Sequence, residues 1–111
     1  MATRYSRQKG ITFEREVATV YEQHGFDVRG LENTGDHLCT LPSGLIIASE
    51  SKRHERLRIP EWWAQTVRDA PAGAVPVLTF RQSRREMLSV VRTADLLTLA
   101  TGADRSNGAR P

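Results

Sequence analysis

Six residues, Leu45-Ile46-Ile47-Ala48-Ser49-Glu50, constrain this chain more than any others. They follow Pro42-Ser43-Gly44, a segment with turn chemistry, and their apolar and β-branched side chains make the strongest strand pattern in the sequence. Asp36 to Leu41, on the other side of the turn, also reads as a strand, so the two are expected to form a hairpin. The apolar run passes straight into Glu50-Ser51-Lys52. Side chains two apart on a strand point the same way, which puts the Glu50 carboxylate and the Lys52 ammonium side by side on one face.

The other elements arrange themselves around that hairpin. Phe13, Val17, Val20 and Tyr21 recur at helical spacing between Ile11 and His24, and Gly25 stands where that helix would end. Phe26 to Arg29 alternates as a short strand, and Gly30 to Gly35 reads as a loop. Beyond the hairpin, a charged stretch runs from Lys52 to Arg58. Pro60 then opens a second helix that carries Trp62, Trp63 and Val67 and stops at Pro71-Ala72-Gly73. Two more strands, Val75 to Phe80 and Met87 to Val91, flank an arginine-rich turn, and Thr93 to Ala100 closes the domain as a short helix. The expected order is α-β-β-β-α-β-β-α, a mixed α/β domain. Residues 1–8 read as a flexible basic arm, 9–100 as the single domain and 101–111 as a flexible tail.

A chain of 111 residues has room for one modest core and not for two domains. It contains no run of the roughly 20 apolar residues that a membrane span needs, and Met1-Ala2-Thr3-Arg4 lacks the apolar stretch of a secretory signal, so a cytoplasmic protein is the expectation. Cys39 is the single cysteine, which excludes an intramolecular disulfide. Sixteen basic residues against 13 acidic ones give a net charge of +3, compatible with a polyanionic partner. Fourteen of the sixteen are arginine, so the two lysines, Lys9 and Lys52, stand out. A lysine in such a chain marks a position suited to a compact, mobile ammonium.

Three carboxylates have the right placement for chemistry. Asp36 opens the strand paired with that of Glu50 and comes within its reach in a register that the sequence leaves open. On a helical wheel, Glu14 falls on the border of the buried stripe beside Tyr21, and Glu16 falls on the opposite border. Hard oxygen ligands of this kind suit Mg²⁺ or Mn²⁺, and a lysine beside such an ion can orient water or neutralise charge on a phosphate. Each residue also has an ordinary structural reading. An acid in the first turn of a helix favours the helix dipole, and a Glu/Lys pair at a strand end is commonly solvated.

The series Lys9-Gly10-x-x-x-Glu14-Arg15, Gly25-Phe26-x-Val28-Arg29, Gly35-Asp36 and Glu50-x-Lys52 resembles the archaeal-type Holliday junction resolvases of the PD-(D/E)XK nuclease superfamily, in particular small phage-encoded members. The resemblance runs from about Arg7 to Gln65 and continues through the later strands to Leu99. It implies a restriction-endonuclease-like mixed sheet flanked by helices, and a homodimeric endonuclease that hydrolyses phosphodiesters in four-way DNA junctions. By the same resemblance Asp36 and Glu50 bind Mg²⁺, for which Mn²⁺ can substitute, Glu14 completes the acidic site and Lys52 assists the attacking water. Lys9 lies in the N-terminal segment that contacts DNA in this family, and Gln65 corresponds to a glutamine found beside the active site in related nucleases. Two departures stand out: glycine rather than proline precedes Asp36, and His37 occupies a position that is usually apolar.

Arg7, Arg53, His54, Arg56 and Arg58, with Arg81, Arg84 and Arg85, supply further groups suited to DNA phosphates, and Asn33 and Thr34 precede Asp36 in the loop. Trp62 and Trp63 are too apolar for a free surface, so at least one is expected in the core or a subunit contact. A nuclease of the same fold acting on nicked, flapped or duplex DNA, and a DNA-binding module without activity, are the alternatives.

Overall fold

In the computed structural model, residues 4–30 and 37–102 are described, with side chains from Gln8 onward. The first helix, α1, spans Arg4–Gln23 and ends as its sequence dictates. Gly25 takes a positive φ of 90°. Its N–H donates to Glu22 O at 3.0 Å, and the Phe26 N–H donates to Tyr21 O at 3.1 Å. The Phe26 ring meets Tyr21 edge-on at 5.2 Å, which completes a glycine C-cap with its apolar contact. At the other end, the segment read as a flexible arm through residue 8 is helical from Arg4. Arg4 to Gln8 contain no helix breaker, and once the amphipathic turns exist each added residue gains a hydrogen bond. Gly10 is carried inside the helix at a cost of about 1 kcal/mol.

Five strands form one sheet in the order β1-β2-β3-β4-β5: β1 Asp27–Gly30, β2 His37–Thr40, β3 Ile46–Arg53, β4 Val75–Arg81 and β5 Leu88–Val90. β2 and β3 are the expected hairpin, antiparallel from Thr40↔Ile46 to His37↔Ser49. Gly44 makes the turn possible with φ 95°. β3 and β4 run parallel, from Ile47↔Val75 to Arg53↔Arg81. A parallel pair needs a crossover, and α2 (Ile59–Asp69) supplies it, with Pro60 in its first turn. α3 covers Thr93–Ala100. The element order agrees with the expected α-β-β-β-α-β-β-α, although β3 extends three residues further than its apolar run, through Ser51, Lys52 and Arg53.

Strand alternation divides β3 and β4 between two layers. Ile47, Ser49, Ser51 and Arg53 share a face with Val75, Val77, Thr79 and Arg81, and α1 packs here through Phe13 and Val17, which are 2% and 1% exposed. Cys39, Ile47 and Val77 form the core cluster, closed by Tyr21, Phe26, Val28, Val75 and Val91. Ala48, Glu50 and Lys52 share the other face with Leu78 and Phe80, beneath α2. Trp62 and Thr66 are its buried residues, and the Thr66 hydroxyl donates to Trp62 O at 2.7 Å, so no donor is left unmade there. Trp63 is half-buried with the Arg92 guanidinium over its ring at 5.8 Å. No described helix is long and apolar enough to cross a membrane.

The core beneath α1 holds two weak acids in their neutral forms. Burial pushes the Cys39 thiol from 9.0 up to about 11, with Glu22 adding to the effect. Burial, followed by the nearby Cys39, pushes Tyr21 from 10.0 up to about 12, against the opposing pull of the Ser49 and Thr79 hydroxyls. A group whose pKa is raised by folding contributes its stability below the unfolded value and loses it as pH climbs through the folded one. Chemical denaturation should therefore give a lower midpoint at pH 11 than at pH 8, with Tyr21→Phe and Cys39→Ala each reducing the difference. A pH dependence identical in wild type and both variants would show that these groups do not titrate with unfolding.

Candidate active site

The strand ladder between β2 and β3 ends, among the described residues, at His37↔Ser49, whereas β3 and β4 continue together to Arg53↔Arg81. Among the described residues, Glu50, Ser51 and Lys52 therefore pair with β4 alone. Pairing with β4 is what allows this polar segment to remain a strand. The Glu50 side chain is 5% exposed and that of Lys52 21%, and Lys52 Nζ stands 3.5 Å from Glu50 Oε1. This pair is not the solvated surface ion pair that its composition also allows. Glu50 Oε2 is buried and has no hydrogen-bond partner among the described residues. A carboxylate oxygen left so is costly, and a hard divalent cation is one species that would satisfy it.

Glu14 approaches from α1. It is the eleventh residue of that helix, so a role in the first-turn dipole does not account for it. Partial burial raises its pKa, while His37 and Lys52 act in the opposite direction through their charge. Lys52 thus acts electrostatically on two carboxylates, Glu50 on its own strand and Glu14 on α1, the helix of the other sheet face. Glu16 goes the other way round the helix, as its place on the opposite border of the buried stripe requires, and accepts a hydrogen bond from Arg81 Nη1 at 2.6 Å. The wheel that separates the two acids in sequence separates them in space. His37 begins β2 directly after Asp36 in sequence, on the face of Ser49, and its Nδ1 is buried without a hydrogen-bond partner among the described residues.

Asp36, Asn33 and Thr34 lie outside the described residues, as does the side chain of Arg7. Among the described residues no group of three or more His, Cys, Asp or Glu side chains is assembled for a metal ion. Of the three acids named for the metal, Glu50 and Glu14 are described, and Asp36 directly precedes His37 in sequence. Gln65 is half-buried on α2, and no hydrogen bond among the described residues links it to Glu50 or Lys52. Arg56 and Arg58 are exposed.

Several contacts near the site have no clear mark in the sequence. The His54 ring packs on Trp62 at 5.2 Å, and burial, then Lys52 and Arg53, lower its pKa. Arg53 Nη1 donates to Glu55, whose carboxylate also accepts the Ser83 N–H at 3.1 Å, while Gln82 Nε2 donates to Glu55 O at 2.6 Å. Glu55 so ties the segment after β3 to the turn after β4, in which Arg84 adopts a positive φ of 59°. These links join residues 27 and 28 positions apart and follow from the parallel register, which periodicity does not reveal. No known family model matches the chain, and no curated protein matches it in sequence.

Proposed function

We propose that this protein is a Mg²⁺-dependent DNA endonuclease with a restriction-endonuclease-like fold, acting as a homodimer on four-way junctions. The observation that carries the reading is the buried Glu50, with one oxygen 3.5 Å from Lys52 and the other without a hydrogen-bond partner among the described residues. Glu50 and Glu14, with Asp36 as the resemblance implies, would hold the metal. Such an ion, when bound, activates water and neutralises charge on the phosphate. Lys52, held against Glu50, offers its N–H groups to the attacking water or to a non-bridging phosphate oxygen. Water adds in line to phosphorus, the bond to the leaving sugar oxygen breaks, and that oxygen takes up a proton. Glu14, less acidic through burial, would contribute the third oxygen donor.

Cutting a junction on two strands suits two active sites related by a twofold axis. Exposed leucines support such pairing: Leu88 on the edge strand β5 and Leu96 and Leu97 on α3 are each about half exposed. Sedimentation equilibrium should return twice the chain mass of 12.4 kDa, and a monomer at every accessible concentration would contradict the homodimer.

Glu50→Gln keeps the shape and removes the charge. It should lower Mg²⁺-dependent cleavage of a four-way junction by at least about a hundredfold while leaving junction binding in Ca²⁺ near wild type. Cleavage by this variant at the wild-type rate would refute the site. Digesting a four-way junction beside a linear duplex of matched sequence tests the substrate. Preferential cutting of the junction is expected; equal cutting would make the protein a general nuclease of this fold, and binding without nicks would make it an inactive DNA-binding module.

A further inference from the structure

We propose that the groove between α1 and the ends of β3 and β4, on the sheet face opposite Glu50, binds a backbone phosphate of the DNA through the paired guanidinium groups of Arg53 and Arg81. The inference rests on the DNA-nuclease reading and adds to it a second contact point and two arginines with defined roles. The parallel register sets Arg53 directly opposite Arg81, and strand alternation turns both toward α1. Between them and the helix is a cavity of about 360 Å³, walled on the helix side by Gln8, Lys9 and Thr12, with Phe13 at its base.

Each guanidinium is already held. Arg53 Nη1 donates to Glu55, and Arg81 Nη1 donates to Glu16 and lies over the Phe13 ring at 5.3 Å. Those bonds use one nitrogen of each group, and a guanidinium carries five N–H donors in a fixed fork. The buried Nε of Arg81 has no hydrogen-bond partner among the described residues. Two anchored forks side by side bind a phosphate without the entropy loss of ordering free side chains. Lys9, Arg53 and Arg81 line the groove together with the Glu16 carboxylate, and Glu55 stands at its rim. Lys52 and Arg53 are consecutive residues on opposite faces at the end of β3, so a strand laid across that end meets both the cleavage site and the groove.

The test places negative charge in the groove without touching its arginines. Gln8 and Thr12 are exposed on α1, so Gln8→Glu with Thr12→Glu leaves the core intact. The control, Ser43→Glu with Ala72→Glu, adds the same charge at exposed turns next to the opposite ends of the strands. Binding of a fluorescent four-way junction is measured in Ca²⁺ across a salt titration. The groove variant should bind at least about tenfold more weakly and show a salt slope shallower by about 0.9, the value for one phosphate no longer neutralised, while the control changes little. An unchanged slope, or an equal weakening in the control, would overturn the groove assignment. Wild-type protein that binds no DNA would overturn both readings. DNA binding with the predicted slope change but no Mg²⁺-dependent cutting would remove the nuclease reading alone and leave the groove standing.

Discussion

The parallel pairing of β3 with β4 is the constraint on which the rest of this structure depends. Ile47 to Arg53 run beside Val75 to Arg81 without interruption, and the crossover α2 exists because such a pair cannot be joined by a tight turn. The apolar half of each strand builds the core and the polar half of β3 carries Glu50 and Lys52. Because the ladder to β4 satisfies the backbone of Glu50, Ser51 and Lys52, these polar residues stay extended beyond the last described partner in β2. Alternation then gives Glu50 and Lys52 to one layer and Arg53 to the other, so a single strand end presents an acid–lysine pair on one side and half of a guanidinium pair on the other.

Electrostatics at that end are organised around α1. Phe13 and Val17 fix the helix on the sheet, and the residues flanking this stripe separate by charge partner: Glu14 toward Lys52 and His37, Glu16 toward Arg81. A buried carboxylate whose second oxygen has no hydrogen bond is expensive to keep, and nothing in the packing of α2 relieves it. Strain of this kind is expected where a ligand completes the site. The Arg53–Glu55 and Arg81–Glu16 pairs are partly exposed on their acid side and contribute modestly to stability. Their more evident consequence is to hold two guanidinium groups in fixed positions.

Much of this was legible in the sequence, and the reasons differ by element. The hairpin turn at Pro42-Ser43-Gly44, the cap at Gly25 and the stop at Pro71-Ala72-Gly73 depend on local chemistry, and the structure has a turn or an end at each. The start of α1 was not legible, because Gly10 and a polar first turn look like a boundary while the helix passes through both. The extension of β3 through Arg53 was hidden for a related reason: its support comes from β4, nearly thirty residues away, and no local pattern reports a parallel partner. The same distance hid the facing of Arg53 and Arg81 and the Glu55 clamp. Glu14 and Glu16 were separable on the helical wheel alone, whereas the burial of Glu50 became visible only with α2 in place.

The central claim is that the unpartnered oxygen of Glu50 belongs to a divalent metal site. Anomalous diffraction from crystals of the protein equilibrated with Mn²⁺ tests it most directly. An anomalous peak about 2.1 Å from Glu50 Oε2 is expected. Mn²⁺ fully bound elsewhere, with no peak at Glu50, would contradict it.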